Sequence, residues 1–199
     1  MLQWLRGVSS LKRIEEAKVK KSKKKKNRLV FRSIVLLILF AAVVFALVSN
    51  LNKDNAVIGV GDQAPNFELK QMNGDKQSLT LDELKGKGVM LNFWATYCKP
   101  CEEEMPYMEA LYPEYKDKDV EIVAVSLDAT ELVIDRFIDK YELSFPVLHD
   151  NKGQVLNRYN IGPLPTTFFI NEDGIVVEKV AGALTLDRLD GYLKQIQPD

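Results

Sequence analysis

Residues 89–101 read Val-Met-Leu-Asn-Phe-Trp-Ala-Thr-Tyr-Cys-Lys-Pro-Cys, an apolar run that leads directly into the only two cysteines of the chain. The first seven residues predict a strand, because a short apolar run is typical of strands buried on both faces. The residues from Lys99 onward predict a helix with Pro100 in its first turn. Cys98 and Cys101 are then one helical turn apart, where a disulfide can form with little backbone movement.

The position of these cysteines at a helix N-terminus favours redox chemistry. Unpaired N–H groups and the partial positive charge of a helix N-terminus stabilise a thiolate. Thiols in such sites ionise below the value of about 8.5 for a free thiol. We therefore expect Cys98 to be the attacking thiol, which forms a mixed disulfide with a partner protein. Cys101, one turn further along, is expected to be the resolving thiol that breaks it.

Other uses of the cysteine pair fit the sequence less well. A structural zinc site needs four ligands, whereas the chain has two cysteines and one histidine, His149. Copper carriers with two thiols and a histidine usually separate the thiols by three residues rather than two. A purely structural disulfide is an alternative, but it would close a very short loop and constrain the unfolded chain little. His149 itself is expected to be a surface or turn residue.

The charges of the chain are divided between two regions. Residues 1–32 contain 12 Lys or Arg and 2 Asp or Glu, whereas residues 33–199 contain 15 and 26. Residues 34–48 have no polar side chain and lie within a longer apolar segment, residues 29–51. About 20 apolar residues are needed to cross a bilayer, so we expect a single transmembrane helix over residues 29–51.

The anchor is expected to stay uncleaved, because no small-x-small cleavage pattern follows it; a cleaved signal peptide is the alternative. By the positive-inside rule, residues 1–28 form a basic cytoplasmic tail. Residues 52–57 are then a linker, and residues 58–198 form a domain on the extracytoplasmic side of the cell membrane. The lysine run at residues 20–26 is expected to contact lipid headgroups and not nucleic acid.

The domain from residue 58 onward has the pattern of an α/β fold. An N-terminal hairpin is predicted around Asn73-Gly74. Further strands and helices alternate along the rest of the domain. Strands are predicted at residues 67–71, 77–79, 89–95, 120–127, 166–170 and 175–180, and helices at residues 99–115, 130–141, 155–159 and 184–196.

Two segments resemble those of thioredoxin-fold proteins. Residues 93–101 resemble the active-site strand and turn, and Leu164-Pro165-Thr166-Thr167 resembles the loop whose proline is cis in that family and faces the thiols. More narrowly, the chain resembles the ResA-like, membrane-anchored thiol-disulfide oxidoreductases of cytochrome c maturation. The narrower resemblance rests on residues 61–67 (Gly-Asp-Gln-Ala-Pro-Asn-Phe), 91–94 (Leu-Asn-Phe-Trp) and 104–108 (Glu-Met-Pro-Tyr-Met), and on an extra segment between the second and third core strands.

This resemblance implies a thioredoxin fold: a central mixed sheet flanked by helices, with an N-terminal β-hairpin and a helical insertion, preceded by one transmembrane helix. The Cys98–Cys101 pair would form its redox-active disulfide. Two positions depart from the family pattern. Tyr97 stands where the family usually has Trp, and Lys99 stands where ResA-like proteins often have an acid.

The resemblance also implies a proton acceptor for Cys101. Thioredoxins have a buried Asp six residues before the first thiol, but here that position is Asn92, which cannot take a proton. Glu104 lies one helical turn after Cys101 and matches a functional Glu of the ResA-like proteins, so it is expected to be the base. An acid that only complements the helix dipole is the alternative.

Four further residues are expected to bind the substrate. Pro165, in cis, would present no N–H beside the thiols and would leave the Leu164 backbone to pair with an extended segment; an ordinary trans turn proline is the alternative. Tyr97 is expected on an apolar docking rim. Trp94 is expected in the core with partial exposure at the site.

The implied function is that of a thiol-disulfide oxidoreductase acting as a reductant outside the membrane, with no cofactor and no metal. Its implied substrate is the oxidised CxxCH site of apocytochrome c, and a CcdA-type membrane thiol transporter is the implied electron donor. Reduction of other exported proteins, in the cell envelope or spore, is an alternative. A peroxidase is disfavoured by Ala95, where peroxiredoxins have Thr or Ser. A non-catalytic binding module, such as a metallochaperone, is the remaining alternative.

Overall fold

The computed structural model describes residues 32–45 and 57–198. The chain divides into two units, residues 1–54 and 55–199. In the first unit, residues 32–45 form helix α1, whose side chains are exposed. No helix within the described ranges is both long enough and apolar enough to cross a membrane. The predicted anchor extends beyond α1 at both ends, and the predicted basic tail lies outside the described residues.

The second unit is built around a seven-stranded mixed sheet with the strand order β2-β1-β5-β4-β3-β6-β7. The strands are β1 (Glu68–Gln71), β2 (Ser78–Thr80), β3 (Gly88–Trp94), β4 (Val120–Ser126), β5 (Val147–His149), β6 (Thr166–Ile170) and β7 (Val176–Ala181). The helices are a 3-10 helix (Leu81–Leu84), α2 (Lys99–Lys116), α3 (Glu131–Tyr141), α4 (Gln154–Arg158) and α5 (Leu186–Gln195).

The centre of the sheet is parallel and its flanks are antiparallel. β4 runs parallel to both β3 and β5, whereas β6 is antiparallel to β3 and to β7, and β1 is antiparallel to β5 and to β2. The C-terminal ends of β3 and β4 therefore lie at the same edge of the sheet as the N-terminal end of β6. This edge carries the Cys98 turn after β3, Asp128 after β4 and Pro165 before β6.

Each face of the sheet has its own hydrophobic core, because successive strand residues point to opposite faces. On one face, Met90 and Trp94 of β3 pack in a cluster with residues of α2, α3 and α5. On the other face, Leu91 and Phe93 pack with residues of α4 and of the 3-10 helix. Asn92 lies between Met90 and Trp94 in this alternation, so its side chain belongs to the face that α2 covers.

The predicted hairpin is present as the antiparallel pair β1–β2, with bounds shifted by about one residue. The insertion between β4 and β6 is more than helical, since it also contains β5 between α3 and α4. β5 is only three residues long, which is too short to show a clear strand periodicity. This is why the sequence pattern did not predict it.

Candidate active site

Cys98 and Cys101 form a disulfide at the point where β3 is followed by α2. Their Cα atoms lie 5.3 Å apart. Cys98 is the N-cap residue of α2, and its Sγ accepts a hydrogen bond from the Cys101 backbone N–H at 3.3 Å. After reduction, this N–H group and the helix dipole would stabilise negative charge on the Cys98 sulfur.

The two cysteines differ in their access to solvent. Cys98 keeps 9% of its surface exposed, whereas Cys101 is completely buried. An external thiol or disulfide can therefore meet the pair only at Cys98, and Cys101 acts from inside the protein. This asymmetry supports the roles predicted for the attacking and the resolving thiol.

Glu104 is buried on the face of α2 that covers β3. Its Oε1 accepts a hydrogen bond from Asn92 Nδ2 at 2.7 Å, and its Oε2 accepts one from the Leu184 N–H at 3.0 Å. Burial raises the pKa of Glu104 from 4.5 to about 7, against the opposing effect of these two hydrogen bonds. Near neutral pH the carboxyl group can both accept and release a proton, which suits a general base one helical turn from Cys101.

Asn92 holds Glu104 from the strand side. It is completely buried, and its Nδ2 donates both to Glu104 and to Thr167 Oγ1 on β6 at 3.0 Å. The sequence pattern did not predict this contact of Thr167. The available signal was a pair of threonines at the start of an otherwise apolar buried strand, because buried hydroxyl groups require hydrogen-bond partners.

The Leu164–Pro165 peptide bond is cis, as the resemblance implied. The Pro165 carbonyl accepts a hydrogen bond from the Gly182 N–H at 2.8 Å, and Thr166 Oγ1 donates to the Pro163 carbonyl at 2.7 Å. Leu164 is half-buried and packs against the hydrophobic cluster that contains both cysteines. The loop therefore places a proline, which has no N–H, at the sheet edge that carries the disulfide.

Tyr97 and Trp94 lie in opposite environments. Tyr97 is 75% exposed beside Cys98 and is available to contact a docked protein. Trp94 is completely buried, with its ring centroid 4.6 Å from that of Phe137 on α3. The expected partial exposure of Trp94 is wrong, because α3 of the insertion covers the end of β3. Trp94 supports the turn from within and has no surface for substrate in this structure.

Asp128 is a site residue that was not predicted from the sequence. It follows β4 and is only 4% exposed. Its Oδ2 accepts hydrogen bonds from the Thr96 N–H and from Ser126 Oγ, both at 2.9 Å, and its Oδ1 accepts one from Thr96 Oγ1 at 2.7 Å. Because Thr96 lies two residues before Cys98, Asp128 holds the turn that carries the exposed cysteine. An acid directly after a buried strand next to β3 was the available signal.

His149 is not the surface or turn residue that was expected. It is 5% exposed and lies in β5, between β1 and β4. Its Nε2 is 2.9 Å from the Asp128 carbonyl oxygen, and its Nδ1 is 4.0 Å from Glu131 Oε1. The missed strand β5 is the physical reason for this error, because the sheet brings His149 next to the residue that holds the Cys98 turn.

Comparison with known proteins extends these observations. Residues 60–179 match the model of the AhpC/TSA family. The chain is 61% identical over 187 residues to the thiol-disulfide oxidoreductase ResA of Oceanobacillus iheyensis, covering 93% of this chain and 97% of the relative. It is 51% identical over 174 residues to the ResA of Bacillus cereus, covering 87% of this chain and 99% of the relative.

Solved structures with similar folds include StoA from Bacillus subtilis, with a TM-score of 0.58 and 29% identity over 65% of this chain and 96% of that one. A secreted disulfide oxidoreductase of Mycobacterium tuberculosis has a TM-score of 0.59 and 26% identity over 65% of this chain and 95% of that one. Together with the family match, these similarities confirm the expected α/β thioredoxin fold.

Proposed function

From the premise that the chain belongs to the AhpC/TSA family and, within it, to the thiol-disulfide oxidoreductases named ResA, we propose that it reduces disulfides of exported proteins. We propose the oxidised CxxCH sites of apocytochrome c as its main substrate. The observation that carries the proposal is the combination of a thiol pair exposed only at Cys98 with a buried carboxyl group, Glu104, whose pKa is raised to about 7. This combination supplies a nucleophile for an external disulfide and a base for the internal thiol.

The reaction begins with the reduced enzyme. The Cys98 thiolate attacks one sulfur of the substrate disulfide, forms a mixed disulfide and releases the other substrate sulfur as a thiolate. Glu104 accepts the proton of Cys101, and the Cys101 thiolate then attacks the Cys98 sulfur. This second attack releases the remaining substrate sulfur as a thiolate and forms the Cys98–Cys101 disulfide, which is the state of the present structure. The two substrate thiolates take up one proton from Glu104 and one from solvent, which gives the dithiol product. Two electrons pass from the enzyme to the substrate.

The environment of the pair supports an extended protein segment as the substrate. Tyr97 offers an exposed aromatic ring beside Cys98, and Leu164 lies half-buried at the same edge of the sheet. In our proposal the segment that carries the substrate disulfide runs between them and pairs with the Leu164 backbone. Pro165 keeps a competing N–H group away from the sulfurs.

The enzyme needs an electron donor, because each cycle leaves it oxidised. We place residues 58–198 on the extracytoplasmic side of the cell membrane, anchored by residues 29–51. There a CcdA-type membrane thiol transporter would reduce the Cys98–Cys101 disulfide. The division of the sequence into a basic and an acidic region separated by apolar residues supports this arrangement.

The proposal can be tested by trapping substrates with the Cys101→Ala variant in cells. Without the resolving thiol, the mixed disulfide at Cys98 should accumulate and should contain apocytochrome c when analysed by non-reducing electrophoresis and mass spectrometry. Cys98→Ala is the matched control, since it retains one cysteine but removes the exposed one. Adducts that form equally with both variants, or adducts of Cys101→Ala that lack apocytochrome c but contain other exported proteins, would contradict the proposed substrate.

A further inference from the structure

Asp128 is a buried acid without a cationic partner among the described residues. It is 4% exposed, and it takes part in none of the ion pairs within residues 57–198. Burial of a carboxylate is unfavourable unless hydrogen bonds satisfy it. Here the hydroxyl of Ser126 and two groups of Thr96 do so.

The backbone around Asp128 is also fixed. Its N–H donates to Ser126 Oγ at 3.1 Å, and its carbonyl accepts a hydrogen bond from His149 Nε2 at 2.9 Å. The preceding residue, Leu127, donates its N–H to the Trp94 carbonyl at 3.0 Å. The ends of β3, β4 and β5 are thereby joined at the edge of the sheet that carries the disulfide, with the Asp128 carboxylate aimed at the Thr96 turn.

We propose that Asp128 is a positioning residue for thiol exchange: its buried carboxylate holds the turn before Cys98 and places a fixed negative charge that disfavours the Cys98 thiolate. The inference rests on the thiol-disulfide exchange activity and does not depend on the identity of the substrate. A less favoured thiolate gives the pair a stronger tendency to return to the disulfide, which suits a reductant.

The charge lies close enough to act on Cys98. Thr96 binds the carboxylate directly, and Tyr97 is the one residue between Thr96 and Cys98. The length of this chain segment puts the charge and the sulfur roughly 10 Å apart. The site is buried, and salt therefore screens this interaction less than it screens surface pairs. With an effective dielectric constant of about 20, a charge at that distance shifts an ionisation midpoint by roughly one pH unit.

Other charged or titratable groups also surround the pair. On α2, Lys99 and Glu103 are exposed and Glu104 is buried, whereas Glu102 is paired with Lys140 at 2.9 Å and accepts a hydrogen bond from Tyr141, both on α3. Tyr97 is exposed beside Cys98. On the far side of Asp128, His149 faces Glu131, which is paired with Lys70 at 2.7 Å. Of these groups, and within the described residues, only Asp128 forms hydrogen bonds with Thr96 in the turn before Cys98.

The proposal predicts that Asp128→Asn lowers the pH midpoint of Cys98 alkylation by roughly one unit. The measurement uses the reduced protein, iodoacetamide and peptide mass spectrometry, so that Cys98 is followed separately from Cys101. Asp150→Asn is the matched control. Asp150 is also 4% exposed and accepts three hydrogen bonds, but its partners are the backbone N–H groups of Gln154, Val155 and Leu156.

In the Asp150→Asn control, the midpoint should move by less than a third of the shift seen with Asp128→Asn, because β5 lies two strands from β3. An unchanged or raised midpoint in folded Asp128→Asn would overturn the proposal. If that variant does not fold, the wild-type protein provides the test. The carboxyl-carbon NMR resonance of Asp128 should move with the same midpoint as Cys98 ionisation, and a resonance that does not respond would equally refute the inference.

Discussion

At the scale of single residues, two buried carboxyl groups have different roles in the site. Glu104 accepts two hydrogen bonds and is so strongly desolvated that its pKa rises to about 7. Asp128 accepts three hydrogen bonds, two of them from Thr96. Chemically similar groups thus receive different roles from their environment: we assign proton transfer to Glu104 and positioning of the Cys98 turn to Asp128.

Replacement of Glu104 tests the assigned proton transfer. Glu104→Gln should lower the rate of disulfide exchange near pH 7 by roughly a hundredfold or more, because a general base is lost. The inflection near pH 7 in the exchange rate should disappear as well. Stopped-flow kinetics with a disulfide peptide between about pH 5 and about pH 9 would measure both effects. Glu103→Gln, an exposed neighbour on the same helix, is the control; an unchanged profile in Glu104→Gln would remove Glu104 from the mechanism.

The same substitution has a separate consequence for stability. In the unfolded chain Glu104 ionises near 4.5, whereas in the folded protein it stays protonated up to about 7. The wild type should therefore lose stability as the pH rises through this interval, and Glu104→Gln should not. Between about pH 4 and about pH 8, the unfolding free energy of Glu104→Gln should rise relative to that of the wild type by roughly 2–3 kcal/mol. Urea unfolding of the oxidised proteins at both pH values would show it; a constant difference would mean that Glu104 titrates normally.

At the scale of elements, the site depends on where the ends of β3, β4, β5 and β6 meet. Sequence patterns could predict β3, α2 and β6, since long apolar runs and a cysteine pair mark them. They could not predict β5, which is three residues long, and so His149 was misplaced. Two further features are contacts between segments that are distant in the sequence: the packing of α3 over Trp94 and the hydrogen bonds between Asp128 and Thr96. Local periodicity holds no information on such contacts.

The packing of β3 against α5 gives a prediction at this scale. A Cβ atom on Gly88 would lie 2.0 Å from the Ile196 carbonyl oxygen, just after α5. Gly88→Ala should therefore force the backbone of one element away from the other and destabilise the domain by about 2–3 kcal/mol. Urea unfolding followed by tryptophan fluorescence would measure the loss.

Gly191→Ala is the control for that substitution. Gly191 lies within α5, and a Cβ atom there would meet no atom within 4 Å. Alanine should instead stabilise α5 by about 1 kcal/mol, because it is the better helix former. Equal stability of the Gly88→Ala protein and the wild type would show that the close approach of Ile196 is easily relieved.

At the scale of the whole molecule, the asymmetry of charge suggests which parts of the chain face each side of a membrane. We expect the basic N-terminal residues inside the cell and the acidic domain outside. A variant without Cys98 and Cys101 that carries Lys152→Cys, an exposed position, should react with a membrane-impermeant maleimide in intact protoplasts. The matching Ser22→Cys variant should react only after permeabilisation. The opposite pattern would place the domain in the cytosol and exclude an exported substrate.

The near-complete burial of the disulfide also has a consequence for the electron supply. Small thiols dissolved around the protein meet only the 9% of Cys98 that remains open, and none of Cys101. We therefore expect small thiols to reduce the bond slowly, so that the surrounding redox buffer has little influence on the oxidation state of the pair. In the proposed extracytoplasmic location, a protein donor whose sulfur fits against Cys98 would then keep the pair reduced.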